Sequence, residues 1–289
     1  KVQRAITNLR RKGFLIGSHP RRGYIFKPYD DVSEIMRFMY SAIIGGFYYM
    51  IIYYREVTST RDAARKVAGE RRLPSGYTIV TERMTDAYGR YGSKWYAPEG
   101  GLWFTMILKP KRFDVVSLIP IAATTAIVQA IRTVTGINAK IKWPNDIIYH
   151  DKKIGSVFTD IGIHYDRVYY VLLSINLNVN NEIPKEIRDI AISLKEIWGK
   201  AVPRVILFYS IIHHFSLLYY YMRYKYRKLV INEWKKYLET LGRRVEVIIP
   251  GEIFEGIAVD VKDNGALVVI DDEGNERIIF AGRITHLQN

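Results

Sequence analysis

The chain contains no cysteine among its 289 residues. Disulfide bonds, thiolate metal ligands and thiol nucleophiles are therefore excluded, together with any thioester intermediate. Such a composition is typical of an intracellular protein, and we expect a cytoplasmic one. At 48% hydrophobic residues the chain can bury a sizeable core, and its length suits two or three domains.

A long, uninterrupted apolar run is also missing. Residues 38–54 carry no charge but are broken by Gly45-Gly46, and the apolar residues 205–222 contain His213-His214. A spanning helix needs about 20 consecutive apolar residues, so both stretches are interpreted as buried elements. We predict a helix, a turn and a strand in the first and a core helix in the second. No cleavable signal peptide is visible, and no membrane partner is expected.

Residues 1–29 lack acidic side chains altogether, although they carry eight of the 43 Lys and Arg residues. A basic helix followed by two short strands with a basic turn is typical of the second half of a winged helix-turn-helix. We then expect the natural chain to begin upstream of residue 1. The alternative is a basic amphipathic helix packed on the rest of the protein. The candidate DNA contacts are Lys1, Arg4, Arg10, Arg11, Arg21 and Arg22.

Beyond residue 30, helical and strand patterns alternate with few βαβ units, which predicts an α+β fold. Helices are expected at 61–68, 120–135, 206–221 and 230–241, and strands at 47–55, 77–81, 102–108 and 168–175. Four short strands follow at 245–249, 254–261, 266–270 and 276–280, separated by tight turns, and indicate a small barrel of SH3-like size. The predicted domains are 1–29, 30–240 and 241–289.

Two stretches carry the residues suited to chemistry. Residues 87–103 are rich in glycine and include an arginine, so their backbone can wrap a ligand that carries a carboxylate or phosphate. Residues 142–156 place two cationic sites, a tryptophan and an amide around a strand–turn–strand pattern that can hold a nucleotide. Taken alone, the first stretch could equally be a mobile surface loop, and the second could equally be a polar β-turn without a ligand.

The order and spacing of these stretches resemble the biotin–protein ligase family along almost the whole chain. Residues 142–146 reproduce the family's KWPND in full, and Lys153 falls where its K-(L/I)-A-G lysine falls. Ser59-Thr60 is similar to the family's S-T-N, and Trp95 follows the glycine–arginine loop at the expected distance. Residues 230–243 and 254–267 are similar to the entry into the family's C-terminal barrel and to the barrel itself.

This resemblance implies a partial winged helix-turn-helix, a ligase-type mixed or antiparallel sheet flanked by helices, and an SH3-like C-terminal barrel. It implies that biotin and ATP form biotinyl-adenylate, with Mg²⁺ held through ATP and no protein metal site. Biotin then passes to a lysine of a biotin carboxyl carrier protein. A DNA operator and a homodimer are further expected partners. The implied catalytic residues are Lys153 and Arg90. Biotin would be bound by Ser59, Thr60, Arg61, Met84, Tyr88, Gly89, Arg90 and Lys153, and ATP by Trp95, Lys142, Asn145, Asp146 and Asn178.

The chain departs from the family's pattern mainly at the biotin loop. The family's Q-T-x-G-R-G-R becomes residues 84–90, with Met84 for glutamine and Tyr88 for the first arginine. S-T-N becomes residues 59–61, ending in Arg61, and G-x-G-x-N becomes residues 174–178, with Ser174 and Asn176 for the glycines. Because methionine cannot replace the hydrogen bonds of glutamine, two alternatives stay open. One is a non-enzymatic, ligand-sensing transcriptional regulator, and the other is a ligase for lipoate or another acyl group.

Overall fold

The computed structural model describes residues 2–11, 16–19, 23–26, 31–35, 42–44, 47–70, 73–165, 167–224 and 226–287. The chain opens with helix α1 (Val2–Arg11), then an antiparallel hairpin of β1 (Ile16–His19) and β2 (Gly23–Phe26). Val2 is 66% exposed, so the beginning of α1 is not packed against other described residues. Of the candidate DNA contacts, Arg4, Arg10 and Arg11 lie in α1, whereas Lys1, Arg21 and Arg22 lie outside the described residues.

An eight-stranded mixed sheet forms the centre of the molecule, with strand order β3-β4-β5-β6-β10-β9-β8-β7. The pairing of β4 with β5 is parallel and every other described pairing is antiparallel, as the α+β interpretation expected. Its strands are β3 (Ala42–Ile44), β4 (Phe47–Val57), β5 (Tyr77–Met84), β6 (Leu102–Leu108), β7 (Lys140–Lys142), β8 (Asp146–Tyr149), β9 (Lys152–His164) and β10 (Arg167–Leu177). Residues 42–44 were predicted as helix and are a strand that pairs with the start of β4. The other part of that predicted helix lies outside the described residues.

Helices cover both faces of this sheet. Helix α2 (Thr60–Ala68) packs on one face through Ala64 and Ala68, and the hydroxyl of Ser59 caps it by accepting from the backbone N–H groups of Arg61 and Asp62. The sequence offers Ser59 or Thr60 as the cap of this helix, and the cap is Ser59. Helix α3 (Ile119–Thr135), the short α4 (Leu194–Trp198), α5 (Arg204–Arg223) and α6 (Arg227–Lys235) contribute to the main core.

The two longest apolar helical stretches are part of this core. Phe113–Thr135 and Arg204–Arg223 are long and apolar enough to span a membrane, but 78% and 56% of their most apolar parts are buried in the fold. The second stretch is the core helix predicted at 206–221.

A second sheet follows α6. It has five antiparallel strands in the order β14-β13-β12-β11-β15: β11 (Arg244–Ile249), β12 (Glu252–Val261), β13 (Leu267–Asp271), β14 (Glu276–Ile279) and β15 (Arg283–His286). The sequence predicted only the first four. Strand β15 was missed because its four residues include an arginine and a histidine. The helix predicted at 230–241 is also wrong at its end, since α6 stops at Lys235 and turns continue to residue 241.

Candidate active site

A cavity of about 470 Å³ opens where the glycine loop (residues 87–101, between β5 and β6), strands β8 and β9, and the C-terminal sheet meet. One wall is apolar and comes from the segment after β10, with Ile183, Ile187 and Ile190. Another part of the lining is charged and includes Arg90, Lys142 and Lys153. Eight of the residues that the sequence selected line this cavity: Gly89, Arg90, Trp95, Lys142, Asn145, Asp146, Lys153 and Asn178. The two stretches singled out in the sequence are therefore brought together.

The charged wall is organised around Asp146. Its Oδ2 lies 2.6 Å from Nζ of Lys153, and its Oδ1 accepts a hydrogen bond of 2.7 Å from the hydroxyl of Ser156. Asp146 and Ser156 are direct partners in the β8–β9 ladder, so both side chains lie on the same face of the sheet. The amide of Asn145 donates to Oγ of Ser156 and to the carbonyl of Val157, at 3.1 and 2.6 Å. Asn145 thus holds the turn in place and keeps Asp146 beside Lys153.

A second cation, Lys142, lies on the same wall. Burial lowers the pKa of its ammonium, the carboxylate of Asp146 opposes that shift, and the positive charge of Lys153 adds to it. Two lysines therefore share one carboxylate. This wall carries an excess of positive charge and can attract a polyphosphate or a carboxylate.

The glycine loop packs over β9 and reaches the C-terminal sheet. At Gly89 a Cβ atom would lie 2.7 Å from Oγ of Ser93, so only glycine fits without a shift. The indole of Trp95 meets the ring of Phe158 edge-on, with the ring centroids 6.2 Å apart. Arg90 donates a hydrogen bond of 3.2 Å to the carbonyl of Gly282, which precedes β15. The loop is thereby fixed between the two sheets.

The remaining biotin candidates (Ser59, Thr60, Arg61, Met84 and Tyr88) do not line the cavity but lie against its edge. The guanidinium of Arg61 sits 4.5 Å from the ring centroid of Tyr88 and 4.9 Å from that of Phe158, which lines the cavity. The backbone N–H of Thr60 donates to Sδ of Met84 at 3.3 Å. The sequence-selected residues thus form two neighbouring groups joined through Phe158. The hydroxyl of Ser59 is already used as the cap of α2.

Several lining residues were not selected from the sequence. Trp143 belongs to the KWPND stretch, and its indole N–H donates to the carbonyl of Gly265 in the C-terminal sheet at 2.9 Å. Ser156 and Phe158 alternate along β9, and residues 282–285 come from the missed strand and the residue before it. The alternation in β9 was a usable signal. Nothing local in the sequence indicates that the C-terminal sheet closes one side of the cavity.

Comparison with known proteins identifies the family of this chain. A family model described as the biotin/lipoate A/B protein ligase family matches residues 53–180, and one for the biotin protein ligase C terminal domain matches residues 240–287. The chain is 30% identical to the bifunctional ligase/repressor BirA of Bacillus subtilis, across 97% of this chain and 87% of that protein. This chain belongs to the biotin protein ligase family. The family that the motifs indicated is confirmed.

Other members of this ligase family match over most of their lengths. A biotin protein ligase from Aquifex aeolicus, solved in complex with biotin and ATP, superposes with a TM-score of 0.71 and 27% identity, over 83% of this chain and 99% of that one. The biotin–[acetyl-CoA-carboxylase] ligase of Mycobacterium tuberculosis is 25% identical over 74% of this chain and 80% of that protein. The mixed central sheet flanked by helices and the antiparallel C-terminal sheet are thus those of biotin protein ligases.

Proposed function

We propose that this chain is an ATP-dependent biotin–protein ligase that forms biotinyl-AMP and transfers biotin to a lysine of a biotin carboxyl carrier protein. The observation that carries the proposal is the Lys153–Asp146 pair beside Lys142, on a cavity wall that the glycine loop covers. Two lysines and Arg90 around one enclosed space suit a reaction between two anions. The relatives, which are biotin ligases, and the Aquifex structure with biotin and ATP support this choice of substrates.

In the first step, a carboxylate oxygen of biotin bonds to the α-phosphorus of ATP, and the bond to pyrophosphate breaks. This brings two like charges together, so fixed cations lower the barrier most when they face the forming bond. Lys153 and Arg90 are assigned this role. Mg²⁺ enters as part of the ATP complex. Among the described residues no cluster of three or more His, Asp or Glu side chains is placed to hold a metal of its own.

In the second step, the neutral amine of the carrier lysine attacks the acyl carbon of the adenylate. An amide forms, AMP leaves with the electrons of the broken bond, and the lysine nitrogen loses a proton. The nucleophile comes from the carrier, which is why a chain without cysteine can perform the reaction. Enclosure by the glycine loop would shield the adenylate from hydrolysis in the meantime.

The binding roles follow the two groups of residues. We assign ATP to the cavity residues Trp95, Lys142, Asn145, Asp146 and Asn178. We assign biotin to the adjoining group of Ser59, Thr60, Arg61, Met84 and Tyr88, together with Gly89, Arg90 and Lys153. Because the hydroxyl of Ser59 caps α2 and the amide of Asn145 is used within the sheet, these two residues act by placing their neighbours.

The flanking parts are assigned by the same reasoning. We assign residues 1–29 to a partial winged helix-turn-helix that contacts an operator DNA. We assign residues 30–240 to the catalytic domain and residues 241–289 to an SH3-like domain. The DNA partner is supported by the charge of residues 1–29, by the exposed start of α1 and by the similarity to a bifunctional ligase/repressor. A homodimer would match a two-fold operator. The cellular location we propose is the cytoplasm.

Two other functions compete with this one. A ligand-sensing regulator without enzymatic activity is favoured by the altered biotin loop, and a lipoate or other acyl ligase by the breadth of the matching family model. Calorimetry with biotin, then with ATP added, followed by a pyrophosphate-release assay with a panel of carboxylic acids, separates the three. Release that depends on biotin supports the biotin ligase. Release with another acid alone supports the third function, and binding without release supports the sensor.

A further inference from the structure

A row of side chains crosses the sheet on the face that carries the site. It runs through five strands, and each member is the direct antiparallel partner of the next. Directly paired residues of antiparallel strands place their side chains on the same face. The row is Thr81, Trp103, Asn176, Ser156 and Asp146. Asn176 therefore lies between Trp103, which packs with Met84, and Ser156, which is bonded to the Lys153–Asp146 pair.

Asn176 differs from its neighbours in the row because part of its amide is unsatisfied. Only 4% of the residue is exposed, and its Oδ1 atom is buried without a hydrogen-bond partner. Thr81 donates to the carbonyl of Arg83, and Trp103 donates to that of Pro98. Because a buried acceptor without a partner destabilises a protein, the structure leaves this atom available to a ligand's N–H.

A second unsatisfied atom belongs to a residue that packs against the neighbouring Met84–Trp103 cluster. Nε1 of Trp95 is also buried without a partner, and Trp95 packs against the cluster that contains Met84 and Trp103. Among the described residues, Oδ1 of Asn176 and Nε1 of Trp95 are thus two buried side-chain atoms without a hydrogen-bond partner in this part of the fold. One is an acceptor and the other a donor. A planar group with an N–H beside a carbonyl, such as a cyclic urea, complements both.

Met84 cannot act as the hydrogen-bond acceptor for a ligand that the family's glutamine would be at this position. Its sulfur already receives the N–H of Thr60, and thioether sulfur is a weak acceptor. Asn176 stands where the family's motif has a glycine, so its amide is an addition to this face of the sheet.

We propose that Asn176 is a specificity-determining residue of this ligase, whose side-chain oxygen accepts a hydrogen bond from an N–H of the ureido ring of biotin. The inference rests on the proposed function and adds to it the residue that recognises the ring. Because Oδ1 of Asn176 is buried, the side chains that cover it have to move before the substrate can reach it. Asn176 takes over recognition of the ring at a site where Met84 has replaced glutamine.

Calorimetry on the full chain tests this assignment with three ligands: biotin and two carbamate analogues, in each of which one ring N–H is replaced by oxygen. Oxygen has nearly the size of N–H but donates no hydrogen bond. In the wild type, one analogue should bind at least about tenfold more weakly than biotin, the scale of a hydrogen bond to a buried acceptor. Asn176→Leu and Asn176→Ala should bind biotin about tenfold more weakly and should no longer distinguish it from that analogue.

Thr81→Val is the matched control, because it changes the same row at a hydroxyl whose partner lies within the protein. It should keep both the affinity for biotin and the discrimination. Asn176→Ala covers the case in which the bulkier leucine prevents folding, which circular dichroism would report. If both folded variants discriminate as the wild type does, Asn176 is not the acceptor although the chain binds biotin. If the wild type binds no biotin but releases pyrophosphate with another acid, the proposed function itself fails, and this inference fails with it.

Discussion

Removal of the charge of Lys153 is the sharpest test of the catalytic assignment. Its ammonium lies 2.6 Å from the carboxylate of Asp146, and 39% of the side chain is exposed. Two unit charges about 4 Å apart interact by roughly 4 kcal/mol at an effective dielectric constant of about 20, and exposure reduces this. Loss of one such contact to a developing charge typically slows a reaction by about 10²–10³-fold. Lys153→Gln also removes the ion-pair partner of Asp146, so that only Lys142 of the two lysines still opposes its negative charge. We therefore expect adenylate formation to fall by at least about 10²-fold.

The assay compares two steps in the same folded variant. Pyrophosphate release reports adenylation, and transfer from supplied biotinyl-adenylate reports the second step, in which two anions no longer meet. Adenylation should fall steeply, binding of biotin and ATP less, and transfer least. Lys152→Gln is the matched control, because its ammonium instead donates to the carbonyl of Arg188. Adenylation by Lys153→Gln at the wild-type rate would remove Lys153 from the mechanism.

Three further predictions follow from charge, hydrogen bonding and protonation. Residues 1–29 should bind duplex DNA in gel-shift assays with an affinity that falls steeply with salt, because they carry positive charge only. Met84→Gln should tighten biotin binding by about 1 kcal/mol in calorimetry, because an amide regains a net hydrogen bond that sulfur makes poorly. Burial lowers the pKa of His286, although the carboxylate of Asp151 opposes this shift. The unfolded chain therefore binds a proton at this histidine more readily than the folded chain, and the free energy of unfolding should decrease as the pH falls below about 6.5.

Each of these predictions has a control and a result that contradicts it. Arg21→Ala/Arg22→Ala should weaken DNA binding, and an affinity indifferent to salt would contradict an electrostatic contact. Unchanged or weaker biotin binding by Met84→Gln would show that the loop alignment or the ligand is wrong. For His286, melting temperatures between about pH 5 and 7 provide the measurement, and His286→Gln should flatten the curve. A wild-type melting temperature that does not change over this pH range would contradict the lowered pKa of His286.

The fold was predictable where one residue pattern decides the outcome. Strand β6 was predicted with its ends at Leu102 and Leu108, because a run that is apolar except for Thr105, bounded by glycine and a Lys-Pro pair, leaves little choice. The sequence also placed the start of α2 next to two hydroxyl residues that can cap a helix, Ser59 and Thr60, and the cap is Ser59. Strand β15 was not predicted, because its pairing with β11 stabilises it. The turns after Lys235 were not predicted either, because they are stabilised by contact with β7. Such contacts are between residues far apart in sequence.

The candidate site shows the same division. Asp146 and Lys153 are close in the chain, and a hairpin between β8 and β9 brings them together, so the motif alone sufficed to select both. The carbonyl of Gly282 at Arg90 and that of Gly265 at Trp143 come from more than 100 residues away, and no local pattern marks them. The hydrogen bonds already made by Ser59 and Asn145 are equally invisible in the sequence. Residue type selects the candidates, and packing decides which of their atoms are free for a ligand.

The departures from the family's motif contact each other, and this bears on whether the pocket still works. Arg61 donates to the carbonyl of Tyr88 at 3.2 Å, and the hydroxyl of Tyr88 donates to Asp62 at 2.8 Å. The motif loses a cation at position 88 and gains one at position 61, so the total charge of the two positions is kept. The cation has moved from a loop to the first turn of α2, where Tyr88 and Phe158 stack on it. If the two positions had changed independently after the pocket lost its function, there would be no reason for Arg61 and Tyr88 to contact each other. The paired changes are those expected of a pocket that still binds a ligand with a rearranged set of contacts.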